Sequence, residues 1–287
     1  MQILRDIPAL RDTRAAWYRA RETVALVPTM GNLHEGHLAL VRQARGRADR
    51  LVVSLFVNPL QFDRPEDLAA YPRSLEADCR CLEREGVDAV FAPADQAVYP
   101  RGRENITRVE VPLISELLEG AHRPGHFTGV ATVVCKLFHL VQPDVAVFGE
   151  KDFQQLLLIR RMVEDLDLPV RVESGATVRE SDGLALSSRN AYLTPQEREK
   201  APALYRILGD LAGRLREMAP PDPAALEREG MKALEISGLR PDYVAVRRRE
   251  DLLPPREGDR QLVVLGAAWL GRARLIDNLP VDLPPAG

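Results

Sequence analysis

Residues 23–37 read TVALVPTMGNLHEGH. Residues 23–27 are mostly apolar and branched, which is typical of a buried parallel strand. Gly31 and Gly36 interrupt this pattern, and the apolar residues that follow recur mostly at helical spacing. The stretch therefore predicts a strand, then a turn that contains glycine, then a helix.

Two histidines, His34 and His37, lie where this turn meets the predicted helix. The first turn of a helix carries unpaired backbone N–H groups and a partial positive charge, so it binds phosphate readily. Two imidazoles three residues apart can project on the same side once the chain is helical, and they add hydrogen-bond donors there. The pair predicts that a nucleoside triphosphate binds at this turn.

Two other interpretations of the histidines stay open on these residues alone. Zinc proteases carry the pattern His-Glu-x-x-His, whereas His37 comes one residue too early for it. A purely structural role in the turn is the second alternative. The choice among phosphate binding, zinc binding and a structural role therefore depends on other polar segments of the chain.

Strand and helix patterns alternate through the first part of the chain. Further strands are predicted at residues 51–57, 87–91, 144–148 and 170–178, and helices at residues 74–85, 128–141 and 153–166. Strands separated by helices predict an α/β fold with a parallel sheet and right-handed crossovers. Ligands bind such sheets at the carboxyl ends of the strands.

The pattern changes after residue 178. Two helices are predicted at about residues 195–218 and 223–237, with Pro220 and Pro221 ending the first. Three strand-like runs follow at residues 243–246, 261–265 and 273–276, and their short connections favour antiparallel pairing. We therefore predict a first domain at residues 1–180 and a smaller α+β lid domain at residues 181–287.

Composition limits the classes of function. The 287 residues carry a formal net charge of only -3, so the chain lacks the positive electrostatic field that attracts nucleic acid. The short arginine run at residues 247–249 (RRR) is interpreted as a solvated strand end. No run approaches the roughly 20 apolar residues of a membrane span, and residues 1–10 lack a signal-peptide core. We expect a cytoplasmic protein that binds neither nucleic acid nor membrane, with its three cysteines reduced.

Three more polar segments follow predicted strands or lie near the domain boundary. Residues 149–152 (GEKD) offer a lysine for phosphate and carboxylates for Mg²⁺, although a charged helix cap has the same composition. Gln154 and Gln155 open the next helix, where an amide can hold a small polar substrate or simply face water. Residues 186–190 (LSSRN) can close over phosphates, or can form an ordinary serine-rich loop.

Several segments together resemble one family. Residues 28–37 are similar to the HxGH signature of the nucleotidylyltransferase superfamily, and residues 186–189 are similar to its second, KMSKS-like phosphate loop. Four further segments limit the resemblance to one family within this superfamily: residues 56–62 (FVNPLQF), 123–127 (RPGHF), 148–155 (FGEKDFQQ) and 183–190 (GLALSSRN). The similarity extends to residues 267–270 (AAWL) and 277–278 (DN). In this order the segments resemble the pantoate-beta-alanine ligase family over nearly the whole chain.

The resemblance implies a role for each matching residue. ATP would be bound by Met30, Gly31, Asn32, Leu33, His34, Glu35, Gly36, His37, Gly149, Glu150, Lys151, Asp152, Val178, Leu186, Ser187, Ser188 and Arg189. Among these, the catalytic residues at the phosphates would be His34, His37, Lys151 and Arg189, with His37 the usual candidate for proton donor. Gln61 and Gln155 would hold pantoate, and Gln61 would also meet beta-alanine.

The resemblance further implies a Rossmann-type first domain, a hinged lid, a homodimer and the use of Mg²⁺, whose ligands stay unassigned. The implied reaction condenses (R)-pantoate with beta-alanine through a pantoyl adenylate and releases AMP and pyrophosphate. One alternative left open is a nucleotidylyltransferase of the same superfamily that acts on a small phosphate or carboxylate. A non-catalytic nucleotide-binding regulator is another, but it would not need Lys151 and Arg189 together.

Overall fold

A computed structural model describes residues 1–62, 65–217 and 222–284 of the chain. Within these ranges the strands are β1 (Gln2–Leu4), β2 (Val24–Thr29), β3 (Arg50–Leu55), β4 (Ala89–Phe91), β5 (Val145–Gly149), β6 (Arg171–Gly175), β7 (Arg240–Arg248), β8 (Gln261–Leu270) and β9 (Ala273–Asp282). The helices are α1 (Ile7–Arg19), α2 (Glu35–Arg45), α3 (Pro65–Ala70), α4 (Leu75–Arg84), α5 (Asp95–Val98), α6 (Glu119–His122), α7 (His126–Val141), α8 (Phe153–Asp165), α9 (Pro195–Lys200), α10 (Ala203–Leu215) and α11 (Pro223–Ile236). Short 3-10 turns cover Pro59–Gln61, Glu150–Asp152 and Ser188–Tyr192. Among these helices, none has the length and apolar character that crossing a membrane requires.

The first sheet has six strands in the order β1-β4-β3-β2-β5-β6, and every neighbouring pair is parallel. Helices connect the successive strands, so the predicted α/β class with a parallel sheet is confirmed. From β2 the chain moves outward through β3 and β4, and it then returns to the other side of β2 as β5. The strand order therefore reverses between β2 and β5, which is where open α/β sheets bind ligands.

Strand β2 illustrates why the sheet is buried on both faces. Val24 and Leu26 belong to a core that they share with α1, α7 and α8, whereas Ala25 and Val27 belong to a second core shared with α2 and α4. All four residues are fully buried. Side chains alternate between the faces of a strand, so a continuous apolar run is expected where both faces are covered.

The internal contacts divide the chain into two compact units, residues 1–150 with 154–176 and residues 151–153 with 177–287. The second unit contains the sheet β7-β8-β9, whose antiparallel pairing confirms the prediction from the short connections. Helices α10 and α11 pack on this sheet, and the core includes Leu208, Leu226 and Val264. This unit is a small α+β structure with a hydrophobic core of its own.

Several predicted elements differ in extent from the structure. The helix expected at residues 195–218 is two helices, α9 and α10, because the chain turns at Pro202, which has no N–H to continue the first helix. The strand expected at residues 170–178 is the shorter β6. Residues 218–221, which include the predicted proline stop, lie outside the described residues.

Strand β1 and helix α1 are additional elements at the start of the chain. Asp6 caps α1 through a hydrogen bond from the Ala9 N–H at 2.8 Å, and Pro8 lies in the first turn. An aspartate followed closely by a proline is a typical helix start, so the sequence did contain a signal for this helix.

The arginine run at residues 247–249 is less solvated than predicted. Arg248 has only 6% of its surface exposed. Each arginine has a carboxylate partner in the same unit: Glu227 for Arg247, Asp251 for Arg248 and Asp282 for Arg249. The expectation of a solvated strand end is therefore wrong for Arg248, because its charge is buried and paired.

Candidate active site

Predicted site segments follow three neighbouring strands of the six-stranded sheet. Residues 30–37 follow β2, Gln61 lies in the 3-10 turn after β3, and residues 149–150 come at the end of β5, with Gln155 in the next helix. The three strands are parallel, so their carboxyl ends lie at the same edge of the sheet. The sheet topology therefore places these segments at one edge, on either side of the strand-order reversal.

The turn after β2 contains two consecutive residues in the left-handed region, Gly31 (φ 80°) and Asn32 (φ 53°). Glycine and asparagine adopt this conformation more readily than other residues. The N–H groups of Asn32 and Leu33 donate to Oδ2 and Oδ1 of Asp78, each at 2.9 Å. A Cβ atom on Gly31 would lie 3.0 Å from the same carboxylate. Asp78, which belongs to α4, therefore holds the turn.

Asp78 is a residue that the sequence analysis missed. Only 4% of its surface is exposed, and the Ser74 hydroxyl donates to it at 3.0 Å. It lies on the apolar face of α4, three residues after Leu75 and four before Leu82, with the buried Cys79 next to it. A carboxylate on such a face costs free energy unless it is hydrogen-bonded, so its position in the pattern was an available signal.

His34 and His37 cap the start of α2 reciprocally. Nδ1 of His34 accepts from the Gly36 N–H at 3.2 Å, and Nδ1 of His37 accepts from the His34 N–H at 3.3 Å. The two ring centroids are 4.1 Å apart. Because each Nδ1 is an acceptor, the proton of each neutral ring is on Nε2. The histidines thus lie side by side at the helix start, as their spacing predicted, and each carries an Nε2–H donor.

The zinc interpretation of the histidines lacks a ligand set. Among the residues that the structure describes, no group of three or more His, Cys, Asp or Glu side chains is placed to hold a metal ion. In addition, Nδ1 of each histidine already accepts a backbone hydrogen bond. The geometry of the pair therefore fits an anion site at a helix start better than a zinc site.

Glu35 begins α2, but its carboxylate is occupied by another partner. It pairs with Arg42, which also pairs with Glu85 at 2.7 Å. The hydrogen bond from Arg42 lowers the pKa of Glu35, so this group is ionised at neutral pH. A contribution of Glu35 to phosphate binding would therefore come from its backbone N–H rather than from its side chain.

Hydrogen bonds fix the orientation of the Gln61 side chain. Tyr99 Oη donates to Asn58 Oδ1 at 2.7 Å, and Asn58 Nδ2 donates to Gln61 Oε1 at 3.1 Å. Gln61 Nε2 lies 2.9 Å from the sulfur of Met30, which belongs to the turn after β2. Burial raises the pKa of Tyr99 and so keeps its phenol protonated as a donor. Gln61 therefore presents its N–H groups beside the histidine turn.

The start of α7 holds the backbone of Gln61. Arg123 Nη2 donates to the Gln61 carbonyl at 3.0 Å, and His126 Nδ1 lies 2.8 Å from the same oxygen. Gly129 allows a close approach, because a Cβ atom there would lie 2.3 Å from the Leu60 carbonyl oxygen. Residues 123–127, which the resemblance included without a role, thus support the turn that carries Gln61.

Replacing Gly129 by alanine is expected to destabilise the first unit by about 2–3 kcal/mol, measured by urea denaturation, because the added methyl group meets backbone atoms. The matched control is Gly213→Ala in α10, where among the described residues no atom other than those of the adjacent residues and the local helix backbone lies within 4 Å of the Cβ position. This control should gain about 0.5–1 kcal/mol from the lower flexibility of alanine. Equal changes in the two variants would contradict the packing argument.

The two adjacent glutamines of α8 have different environments. Gln154 is buried, and its Nε2 donates to the carbonyls of Ile114 and Leu117, each at 2.7 Å. Its Oε1 accepts from the Glu119 N–H at 3.1 Å. Gln155 is half-buried. A water-facing role is thus wrong for Gln154, which holds a loop, and Gln155 stays the predicted pantoate residue.

Gly149 and Glu150, the two residues before Lys151, belong to the first unit. Gly149 ends β5, where its Cβ position lies 3.7 Å from Leu40, an ordinary contact distance. The Ser174 hydroxyl donates to the Glu150 carboxylate at 2.8 Å. The Glu150 side chain is therefore held against β6.

Lys151 lies in the second unit beside a cavity. The residues that line this cavity include Lys151, Ser187, Asn190, Arg274 and Asp277. The Lys151 side chain is 16% exposed, and its Nζ is 4.0 Å from Oδ1 of Asp152, whose side chain is 47% exposed. The second unit thus brings the predicted lysine and the predicted serine loop together.

The serine loop, residues 186–189, is connected to Val178 through the main chain. The Leu186 N–H donates to the Val178 carbonyl at 2.9 Å. The Ser187 hydroxyl accepts from the Arg189 N–H at 3.3 Å and so caps the 3-10 turn that follows. Val178 and the loop, both predicted to bind ATP, are therefore parts of one local structure.

Comparison with known sequences decides among the alternatives. The profile of the pantoate-beta-alanine ligase family matches residues 2–280. The chain belongs to the pantoate-beta-alanine ligase family. A curated pantothenate synthetase from Thioalkalivibrio sulfidiphilus is 65% identical over 287 residues, which are 100% of both chains. The predicted family, enzyme class and ligase function are confirmed, and the nucleotidylyltransferase alternative is not favoured.

Solved structures of pantoate-beta-alanine ligases share this fold. A pantothenate synthetase from Thermus thermophilus is 49% identical and superimposes with a TM-score of 0.89, over 97% of this chain and 99% of that one. A pantoate-beta-alanine ligase from Francisella tularensis, complexed with beta-gamma ATP and beta-alanine, is 34% identical with a TM-score of 0.82, over 97% of each chain. The predicted Rossmann-type sheet with a smaller α+β part is therefore confirmed as the fold class.

Proposed function

We propose that this ligase makes pantothenate from (R)-pantoate, beta-alanine and ATP through a pantoyl adenylate. The observation that carries the proposal is the start of α2, where two histidines cap the helix beside Gln61. The Francisella ligase complexed with ATP and beta-alanine supports these two compounds as ligands. A free carboxylate does not react with an amine, so it must first be joined to a good leaving group such as AMP.

The residues that the sequence analysis assigned to the site are proposed to bind the substrates. ATP is assigned to residues 30–37, 149–152, 178 and 186–189, and pantoate to Gln61 and Gln155. The N–H groups of Gln61 suit the carboxylate and hydroxyl oxygens of pantoate, because Asn58 already occupies Oε1 of this glutamine. Beta-alanine is assigned to Gln61 as well.

In the first step, a carboxylate oxygen of pantoate attacks the α-phosphorus of ATP. The bond from this phosphorus to the bridging oxygen breaks, and pyrophosphate leaves. Two like charges 4 Å apart repel by about 4 kcal/mol at an effective dielectric constant of about 20, so cations have to compensate. Lys151 and Arg189 supply positive charge, and His34 and His37 supply Nε2–H donors.

In the second step, the unprotonated amine of beta-alanine attacks the acyl carbon of pantoyl adenylate. The bond from this carbon to the phosphate oxygen breaks, AMP leaves and the amine nitrogen loses a proton. No covalent bond to the enzyme is needed. In agreement, burial raises the pKa of Cys79 and of Cys135, so these free thiols are poor nucleophiles at neutral pH.

Mg²⁺ is proposed to enter with ATP. Glu150 and Asp152 flank Lys151 and carry carboxylate oxygens, the ligand type that Mg²⁺ prefers, and the Asp152 side chain is 47% exposed. One or two carboxylates together with phosphate oxygens and water are sufficient for this ion. When bound, the ion would neutralise phosphate charge.

We further propose that residues 1–180 form a Rossmann-like domain that binds ATP and pantoate, that residues 181–287 act as an α+β lid, and that the enzyme is a cytoplasmic homodimer. The reason for a lid is chemical, because an acyl adenylate hydrolyses if water reaches it. The homodimer is carried over from the family resemblance, and the location is carried over from the composition and cysteine usage of the sequence.

An isotope experiment tests the adenylate. Pantoate labelled with ¹⁸O in its carboxylate is incubated with ATP, Mg²⁺ and beta-alanine, and AMP is analysed by mass spectrometry. One ¹⁸O atom should appear in AMP, because the attacking carboxylate oxygen stays on phosphorus when the acyl carbon–oxygen bond breaks. Unlabelled AMP would contradict the proposal, and omission of beta-alanine should prevent formation of pantothenate.

A further inference from the structure

Asp277 and Asn278 on β9 belong to the family resemblance but have no assigned role. Both are buried, with 5% and 4% of their surface exposed. A buried carboxylate is costly unless it is paired and hydrogen-bonded. The partners of these two residues therefore indicate what the pair does.

Asp277 forms a two-pronged ion pair with Arg179. Arg179 Nη1 and Nη2 donate to Oδ2 and Oδ1 of Asp277 at 2.6 and 2.8 Å. The guanidinium also stacks on the ring of Tyr205, 3.9 Å from its centroid, and donates to the Gly183 carbonyl at 3.1 Å. A planar guanidinium that is held from three directions has a single defined position.

Arg179 begins the hairpin that carries the serine loop. It forms an antiparallel bridge with Ala185, one residue before the loop at 186–189. On the other side of the loop, Asn190 Nδ2 donates to the Ala185 carbonyl at 3.0 Å. Asp277 thus fixes Arg179, and Arg179 fixes the residue to which both ends of the loop are attached.

Asn278 is hydrogen-bonded to the backbone of Lys151, which is also predicted to bind the phosphates of ATP. Its Nδ2 donates to the Lys151 carbonyl at 3.0 Å, and its own N–H donates to Asp277 Oδ1 at 2.8 Å. Lys151, Ser187 and Asp277 line the same cavity. Two adjacent residues of β9 therefore contact the two structures that carry predicted ATP ligands in the second unit: Asn278 contacts Lys151, and Asp277 contacts the hairpin of the serine loop.

We propose that Asp277 and Asn278 are positioning residues for ATP. Asp277 holds the serine loop through Arg179, and Asn278 holds the backbone of Lys151. This inference rests on the proposed function, because it assumes that residues 151 and 186–189 bind ATP. Neither residue needs to touch the nucleotide itself.

The test compares Asp277→Asn with Asp251→Asn. The control variant removes the nearer carboxylate partner of a buried arginine, Arg248, in the same unit. Binding of ATP with Mg²⁺ is measured by calorimetry, and KM values are measured for all three substrates. Asp277→Asn should weaken ATP binding about 10–100-fold, by analogy with the loss seen when a residue that orients a metal ligand is replaced. The KM for beta-alanine should change less than about twofold.

Asp251→Asn should also lower the unfolding midpoint while leaving ATP affinity unchanged. Equal ATP affinities in the two variants would overturn the inference, because Asp277 would then be only structural. If Asp277→Asn does not fold, Asn278→Ala provides the second test, since it leaves the ion pair intact and should still weaken ATP binding. The isotope experiment on the unmodified enzyme is independent, so failure of the proposed function and failure of this inference give different results.

Discussion

Lys151→Ala is expected to reduce the rate of pyrophosphate release by about 10²–10³-fold, the usual loss when one group that stabilises developing charge is removed. The fold should survive, because the substitution removes a charged side chain beside a cavity and no part of the three hydrophobic cores. Pyrophosphate release in the presence of ATP, pantoate and Mg²⁺ is the measurement, together with thermal unfolding.

Lys151→Met separates charge from bulk, since methionine keeps an unbranched side chain without the ammonium group. It should be as impaired as the alanine variant if the charge is what matters. Lys200→Met is the matched control, a lysine of the same unit outside the predicted site, and it should retain full activity. Unchanged pyrophosphate release in Lys151→Ala would refute the assignment.

His37→Gln is expected to abolish most of the first half-reaction, with a loss of about 10²-fold or more. Glutamine at the third position of a helix can still accept a hydrogen bond from the backbone of the capping residue, so the start of α2 should persist. The second half-reaction should be retained, and it is measured by supplying pantoyl adenylate and beta-alanine and following pantothenate.

His139→Gln is the control for the His37 variant. His139 lies in α7, where its Nδ1 is 2.8 Å from the Cys135 carbonyl, and it is not part of the predicted site. Both half-reactions should be normal in this control. If the rates of the two half-reactions fall by the same factor in His37→Gln, the prediction that His37 acts only in adenylate formation is wrong.

The spacing of apolar residues along the sequence was sufficient to predict most of the fold. Continuous apolar runs indicated strands buried on both faces, and β2, β3 and β5 lie where these runs are. The histidine spacing likewise predicted two rings on one side of a helix start, and the structure places them 4.1 Å apart. These features depend on residues that are close together in the sequence.

The supporting contacts could not be predicted in the same way. Asp78 is 46 residues from Asn32, and Asp277 is 98 residues from Arg179, so no local spacing connects them. Tyr99 was also missed, because a tyrosine near a short helix gives no indication that its hydroxyl orients Asn58. Such contacts depend on the topology of the chain, which brings distant polar groups together only after the strands have paired.

The different environments of Gln154 and Gln155 in α8 determine which of them can be varied to change the substrate range of the enzyme. Gln154 uses both ends of its amide in buried contacts, whereas Gln155 is half-buried. A designer who wants the ligase to accept a different hydroxy acid can vary Gln155 alone. Changing Gln154 would release the loop at residues 114–119, because it removes the side-chain donor to the buried Ile114 carbonyl and the acceptor for the Glu119 N–H, so libraries that randomise both positions would consist largely of damaged proteins.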